Sequence, residues 1–174
     1  MKKLKFYLNR IYRLTLSFQK QEELVWNDLK RFHSEAEWQS GVYENDKSIE
    51  TIFEIGQGKG SAYCYNIYDV CFHSRVKIIE QYPVDLTTDL FILAAHFNNI
   101  LNWGVVIVNV NENYIEYHQK RDLLIPLLYY GEINNQITNH YEISKDIYSA
   151  FKRLTDEQEA PAIIIADLLK EKSN

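Results

Sequence analysis

Residues 86–124 read LTTDLFILAAHFNNILNWGVVIVNVNENYIEYHQKRDLL, and this stretch decides the fold class. Its first part predicts a helix over Asp89–Leu101, because apolar residues recur there every three or four positions. The sequence Thr87-Thr88-Asp89 can cap the start of this helix, and Gly104 follows just past its end. The predicted apolar face consists of Leu90, Leu93, Ala94, Phe97 and Leu101.

The second part of the stretch predicts a β-hairpin. Strands over Val105–Val110 and Tyr114–Lys120 are rich in β-branched and aromatic residues, and Asn111-Glu112-Asn113 separates them. A helix followed by an antiparallel hairpin is typical of an α+β domain.

Three further strands are predicted upstream of this helix. Gly56–Gly60 supplies glycines for a hairpin loop, and a turn or bulge is expected around His73-Ser74. Pro83 ends the run of strands because it lacks the N–H that a ladder needs. The strands are Ile49–Ile55, Ser61–Val70 and Arg75–Tyr82.

Helices are predicted at both ends of the chain. Leu4–Phe32 has apolar residues at helical spacing and forms one long helix or two short ones, with a weak point at Thr15–Ser17. A final helix is predicted over Ser144–Glu171, in which Pro161 is a kink or the first turn of a second helix. The polar stretch 33–48 and the region Leu124–Tyr141 are predicted as loops.

These elements predict an α+β fold with an antiparallel sheet of about five strands and packed helices, in the order α-βββ-α-ββ-α. At 174 residues the chain is about one domain long. We divide it into an N-terminal helical region, 1–40, and an α+β domain, 41–174, that form one compact unit.

Composition narrows the class of partner. The net charge of −5 disfavours nucleic acid, because a phosphate backbone requires a basic surface. No stretch approaches the length of a membrane span, and Asn9, Arg10 and Arg13 interrupt any signal-peptide core. Cys64 and Cys71 lack metal or redox spacing and indicate free thiols in a reducing compartment. We therefore expect a cytoplasmic protein that binds neither nucleic acid nor membrane.

No motif for catalysis, a metal or a cofactor is present. Gly56–Gly60 lacks P-loop spacing and precedes a strand, whereas a P-loop opens a helix. Ser61 and Cys64 have no nucleophile elbow or base nearby in sequence. The histidines lack ligand spacing, and the candidate carboxylates are interpreted as capping or solvated groups. The histidines are His33, His73, His96, His118 and His140, and the carboxylates are Asp85, Asp89, Glu112, Glu116, Asp122 and Glu132.

The element order resembles the bacterial sensory-transduction-regulator family typified by YbjN, which has a type III secretion chaperone-like fold. The likeness covers about Ile49–Leu169 and is carried by the helix before Asn98-Asn99, Asn102-Trp103-Gly104-Val105, Asn111-Glu112-Asn113-Tyr114 and Glu159-Ala160-Pro161-Ala162. Asn113 stands where that family usually has a glycine, and Asn tolerates positive φ better than most residues. The resemblance implies an interaction or regulatory module that handles another protein, with no active site to transfer.

The sequence is compatible with two hypotheses about function. The leading hypothesis is a non-enzymatic protein-binding or regulatory module, and the alternative is a small hydrolase or ligand-binding regulator whose polar site comes from sequence-distant residues. A shallow apolar groove would support the first hypothesis, and a deep polar pocket with converging carboxylates or histidines would support the second.

The predicted partner surface lies in the N-terminal helical region. Its large apolar residues are too many to leave in water, so we expect them to dock on the sheet or on a second copy of the chain. Lys2, Lys3, Lys5, Arg10 and Arg13 keep the other side soluble. The partner-surface residues are Leu4, Leu8, Ile11, Leu14, Trp26, Leu29 and Phe32.

The chain is also rich in tyrosine. Strand propensity is one explanation, and an exposed aromatic sheet face that contacts a partner is the other. The tyrosines concerned are Tyr63, Tyr65, Tyr68, Tyr114, Tyr117, Tyr129, Tyr130 and Tyr141.

Overall fold

The computed structural model describes residues 2–123 and 130–171. This part of the chain forms helices, strands and one short 3-10 turn at Val84–Leu86. The elements are α1 (Lys2–Leu14), α2 (Phe18–Glu35), β1 (Ser40–Tyr43), β2 (Ser48–Gly56), β3 (Lys59–Tyr68), β4 (Cys71–Ile79), α3 (Thr87–Ile100), β5 (Val105–Asn109), β6 (Tyr114–Asp122), α4 (Tyr130–Glu157) and α5 (Pro161–Glu171).

The strands form one antiparallel sheet in the order β1-β2-β3-β4-β6-β5. α2, α3 and α4 pack against it. Tyr63, Val76 and Tyr117 are paired across β3, β4 and β6, and all three are at most 1% exposed beneath the helices. The other face is open to solvent, where Ile52 is 72% exposed. The predicted α+β fold, with an antiparallel sheet and packed helices, is confirmed.

The sheet has six strands, one more than predicted. The additional strand, β1, lies inside the stretch 33–48 that its polar composition predicts as a loop. It pairs Val42 with Ile49 at the edge of the sheet. Its last three residues are exposed, so no buried-exposed alternation marks it as a strand in the sequence.

The N-terminal helical region consists of two helices that break at Thr15–Ser17, the predicted weak point. The Thr15 hydroxyl donates to the Tyr12 carbonyl at 2.7 Å, and Ser17 Oγ caps α2 by accepting from the Lys20 N–H at 3.4 Å. Side chains that compete for the backbone in this way interrupt a helix. The division of the chain at residue 40 stays a prediction.

The turn between β3 and β4 lies at Asp69-Val70, so the turn predicted at His73-Ser74 is wrong. Asp69 and Val70 have φ of 52° and 55°. The Val70 N–H donates to Glu22 Oε1 at 2.8 Å, and its carbonyl accepts from the Leu123 N–H at 3.0 Å. Tertiary hydrogen bonds therefore hold a left-handed turn that contains no glycine.

α3 buries Leu90, Leu93, Ala94 and Phe97 as predicted, but it starts at Thr87. The predicted capping role of Thr87-Thr88-Asp89 is wrong, because the Thr87 hydroxyl donates backwards to the Val84 carbonyl at 2.6 Å. The helix ends at Ile100 and the chain then turns towards β5.

Gly104 allows the chain to approach β6 closely. Its φ is 111°, and a Cβ there would lie 2.6 Å from the His118 carbonyl oxygen. The requirement for glycine therefore comes from backbone conformation and space next to β6, as well as from the end of α3.

α4 begins at Tyr130, so the loop predicted over 124–141 is wrong from residue 130 onward; residues 124–129 lie outside the described residues. Gly131, Asn134 and Asn135 weaken the helical signal, whereas packing of Ile133 and Ile137 in the core stabilises the helix. Pro161 is the first residue of α5, which confirms the second-helix alternative. None of the helices described is long and apolar enough to cross a membrane.

Candidate functional site

α1 presents an apolar face to solvent. Leu4, Leu8 and Ile11 are spaced at i, i+4 and i+7, and their exposed fractions are 65%, 58% and 59%. Leu14, at the end of the helix, is 52% exposed. The helix contains five basic residues and no acidic residue. α1 can therefore bind an apolar surface that lies in acidic surroundings.

An ion pair fixes the end of α1 to α2. The Arg13 guanidinium lies 2.6 Å from the Asp28 carboxylate, which also accepts from Arg31 at 3.1 Å. The Arg13 and Asp28 side chains are 13% and 12% exposed, so little water competes with the pair. Charge-assisted hydrogen bonds of this kind are directional, and they hold α1 against α2 while its apolar face stays in solvent.

Three of the seven predicted partner-surface residues are covered by the rest of the fold. Trp26 and Leu29 are 5% and 0% exposed in the core, and Phe32 is partly buried against it. These three side chains dock on the rest of the fold, which is one of the two arrangements expected for this region, and a role of the region in binding a partner stays a prediction. α1 and α2 share one apolar period, and the half that belongs to α2 packs on the sheet and on α4. The four exposed residues are Leu4, Leu8, Ile11 and Leu14.

An apolar groove lies between α3 and α5, and the sequence reasoning missed it. Ala162 and Ala166 are one helical turn apart on α5, and these small residues make a low floor between larger neighbours. The groove has a volume of about 530 Å³. Asp89 is the only lining residue with a polar side chain. The lining residues are Asp89, Ile92, Ala160, Pro161, Ala162, Ile165, Ala166 and Leu169.

A second cavity, of about 630 Å³, is walled by α3, α4 and the end of β6. Arg121 extends into its wall, where the guanidinium carbon lies 3.9 Å from the centre of the Trp103 ring and Nε donates to Gln136 at 3.0 Å. Burial lowers the pKa of Arg121. Arg153 is neutralised by Glu159 and Asp167, at 2.6 and 2.8 Å.

This cavity has few groups that could act as an acid or a base. Asp146 is the only carboxylate among the residues that line it, and no histidine or cysteine lines it. General acid-base catalysis requires titratable groups within hydrogen-bond reach of a bound substrate. The lining residues do not supply the converging carboxylates or histidines that the hydrolase alternative requires.

The histidines pack against other rings or form hydrogen bonds. His33 and His140 are 3% and 0% exposed, and burial lowers their pKa values to about 4 and about 3. His118 lies 2.7 Å from a carboxylate of its own strand. His73 and His96 pack against neighbouring aromatic rings. Among the described residues, no three His, Cys, Asp or Glu side chains are grouped to hold a metal ion.

The predicted glycine loop forms a hairpin turn, as expected. Gln57 and Gly58 in the β2–β3 turn have φ of 47° and 77°, and the Gly58 N–H donates to Glu54 at 2.8 Å. The candidate carboxylates are dispersed, and none of them lines the cavity beside Arg121. Asp85 lies in the 3-10 turn, Asp89 in α3, Glu112 in the β5–β6 turn, Glu116 and Asp122 in β6, and Glu132 in α4.

The core explains much of the tyrosine content. Tyr63, Tyr65 and Tyr117 are 0% exposed, and the Tyr63 hydroxyl lies 2.7 Å from Ser144 Oγ. Tyr68 is 50% exposed at the end of β3. Strand propensity and burial thus account for the three central tyrosines. Tyr114, Tyr130 and Tyr141 are partly buried, and Tyr129 lies outside the described residues.

Comparison with known proteins defines the fold as YbjN-like and chaperone-like. No protein-family model matches the chain, and no curated protein matches it in sequence. The structure is similar to that of YbjN from E. coli, which is described as a candidate transcription regulator. Their TM-score is 0.55 at 11% identity, over 75% of this chain and 93% of YbjN.

A second solved structure shows the same likeness. It is a chain of the HopA1–SchA chaperone–effector complex, with a TM-score of 0.53 at 11% identity, and the alignment covers 74% of this chain and 95% of that one. At such low identity these similarities establish the fold, and function requires a separate argument.

Proposed function

We propose that the protein is a non-enzymatic, cytoplasmic protein-binding or regulatory module, and that a partner protein binds the apolar face of α1. The observation that carries this proposal is the exposure of Leu4, Leu8, Ile11 and Leu14 on one helix whose end is fixed by an ion pair. An apolar face that stays in water in the isolated chain is typical of a protein interface.

Two further observations support the proposal. One fold neighbour is described as a candidate regulator, and the other comes from a chaperone–effector complex. Cys64 and Cys71 are free, which suits a reducing compartment. The apolar lining of the groove, and the presence of a single carboxylate among the residues that line the cavity beside Arg121, favour binding over hydrolysis at these two places.

The test compares three versions of the full chain as baits in a lysate: wild type, Leu8→Glu and Asn9→Glu. Asn9 is exposed beside Leu8 but does not belong to the apolar face, so Asn9→Glu introduces a carboxylate without altering that face. We expect wild type and Asn9→Glu to recover the same partner in stoichiometric amount. Loss of one buried leucine contact should weaken recovery by Leu8→Glu about tenfold or more.

The interaction is then rebuilt from the purified bait and the purified partner. Unfolding curves at pH 7 for the three baits check that each is folded, since surface substitutions usually change stability by less than about 0.5 kcal/mol. If the three baits recover the same proteins, or if none recovers a stoichiometric protein and the chain is also monomeric, α1 is not the binding surface.

A further inference from the structure

We propose that the apolar face of α1 docks in the α3–α5 groove of a second copy of this chain, so that two copies exchange their N-terminal helices. The inference rests on the proposed function in that it names the protein that α1 binds. It also assigns a role to a groove that the proposed function does not use.

The two surfaces match in length. Leu4 and Ile11 are seven positions apart, as are Ala162 and Leu169, and each separation is about 10 Å at 1.5 Å per residue. The groove holds about 530 Å³. Because a cavity of about 150 Å³ accommodates a benzene ring, this groove has room for about three large side chains. Leu4, Leu8 and Ile11 are three such side chains on one helix face.

The two surfaces also match in chemistry. An amphipathic helix in an apolar groove is a common mode of protein recognition, with anchors at i, i+4 and i+7. The low floor at Ala162 and Ala166 leaves space for such anchors, and Ile92 and Leu169 make the apolar walls. Both walls are close to half exposed, at 48% and 52%. Each surface therefore has apolar area that association would remove from water.

Charge favours the same pairing. α1 carries five basic and no acidic residues, so the other residues carry 14 basic and 24 acidic side chains. Residues 85–92, which form one wall of the groove, contain two acidic and no basic residues. Residues 157–171, which include the other wall, contain four acidic residues and one basic residue, and Arg153 pairs with two of the four, Glu159 and Asp167. The groove is thus an acidic region of an acidic body, and it attracts a cationic helix.

The same charges disfavour an anionic membrane as the occupant. A cationic amphipathic helix can lie on such a surface. Here, however, α1 would bring a body with ten more acidic than basic residues towards negative lipid. A second copy meets both requirements, because it supplies an apolar groove in an acidic region.

The geometry indicates exchange between two copies. Within one chain, the faces of α1 and the groove are both exposed, so α1 does not occupy its own groove. α2, to which Arg13 fixes α1, packs on β3, whereas α3 packs on β5 at the far edge of the sheet. Because each copy offers one helix and one groove, a twofold dimer satisfies both pairs of surfaces and closes the assembly.

Light scattering over a concentration series tests the proposal with matched variants of the full chain. Leu8→Glu alters the helix face, and Asn9→Glu is its control. Leu169→Glu alters the groove, and Ile163→Glu is its control, because Ile163 is 53% exposed on the same helix but does not line the groove. We expect wild type and both controls to dimerise, and each altered surface to raise the dimer Kd about tenfold or more.

A mixture of Leu8→Glu and Leu169→Glu distinguishes helix-in-groove exchange from other dimers. The mixed dimer keeps one unaltered helix facing one unaltered groove, whereas neither variant alone keeps such a pair. We therefore expect the mixture to dimerise more strongly than either variant by itself. If α1 paired with α1, or groove with groove, mixing would restore no contact between two unaltered surfaces, and that result would overturn the proposal.

Two other results would also overturn the inference. One is a wild-type chain that stays monomeric at all concentrations, and the other is α1-dependent flotation with vesicles of phosphatidylserine and phosphatidylcholine. The proposed function is tested separately. A monomeric chain whose α1 still captures a different protein would retain the proposed function and lose this inference, whereas a monomeric chain that captures no protein would lose both.

Discussion

Replacing His140 by phenylalanine should reduce the sensitivity of the fold to acid. The His140 ring is 0% exposed and stacks on Tyr117 with 5.0 Å between ring centres. Burial lowers its pKa to about 3 from an ordinary value of 6.5. As the pH falls below 6.5, the unfolded chain therefore takes up a proton that the folded chain does not bind. The fold loses stability until the pH reaches the folded pKa, near 3.

The size of this loss follows from the shift in pKa. One pH unit well inside that window is worth about 1.4 kcal/mol for each histidine, so lowering the pH from 7.5 to 4.5 removes about 3 kcal/mol through His140. His33, with a pKa of about 4, adds a loss of similar size and the same sign. Phenylalanine keeps an apolar ring against Tyr117 and cannot bind the proton.

Denaturant unfolding at pH values from 7.5 to 4.5 measures the effect. The free energy of unfolding of His140→Phe should fall by about 3 kcal/mol less than that of wild type across this range. His33→Phe should show a separate reduction of similar size, and the double variant should combine the two. Parallel curves for wild type and His140→Phe would refute the argument that burial keeps this histidine neutral.

The remaining predictions concern stability at neutral pH and are checked by unfolding curves. Phe97→Ala should lower the free energy of unfolding by about 3 to 5 kcal/mol, because Phe97 is 4% exposed and stacks on another core ring. An unchanged denaturation midpoint would mean that the core face of α3 is wrongly placed. Gly104→Ala should lower the free energy of unfolding by more than about 2 kcal/mol. Gly58→Ala is the control and should cost less, because Gly58 also has a positive φ but no atom lies within 4 Å of a Cβ there. Equal losses for the two variants would mean that the close approach to β6 is not the cause. Asn98→Ala should lower the free energy of unfolding by about 1 to 3 kcal/mol. The Asn98 side chain accepts from the Val106 N–H at 2.7 Å and donates to the Val106 carbonyl at 3.1 Å. A smaller loss would show that water replaces these two hydrogen bonds.

The elements that the sequence predicts well carry strong local signals. The helix break at Thr15–Ser17 and the start of α5 at Pro161 depend on residues that compete for the backbone or cannot continue a helix. The β5–β6 turn is similar, since Asn113 has a φ of 55°, which asparagine tolerates. In each case the chemistry of a few adjacent residues decides the local structure.

The errors occur where distant contacts decide the structure. The turn at Asp69-Val70 depends on hydrogen bonds to Glu22 and Leu123, and no local pattern indicates them. The start of α4 depends on packing of Ile133 and Ile137, which outweighs the weak helical propensity of the asparagines around them.

The candidate site shows a similar limit. Leu8 on α1 and Leu29 on α2 belong to the same kind of apolar pattern, yet Leu8 is 58% exposed and Leu29 is 0% exposed. Periodicity shows which residues share a helix face, but it does not show whether the fold covers that face. In the sequence, the two helices differ in charge, because all charged residues of α1 are basic whereas α2 contains both signs. The spacing of Ala162 and Ala166 was a comparable signal for the groove.

The energetics of α1 favour two reciprocal contacts over one. Fully burying three side chains of this size gains about 4 to 9 kcal/mol, and because Leu4, Leu8 and Ile11 are already about 40% covered, docking recovers roughly 3 to 5 kcal/mol. Bringing two proteins together costs about 4 to 15 kcal/mol. The free energy gained by docking one helix would therefore barely offset the cost of association. Two docked helices gain twice as much, and the cost of bringing two proteins together arises only once. The exchanged dimer should accordingly be weak and depend on concentration, so that a partner with a better groove can displace the second copy from α1.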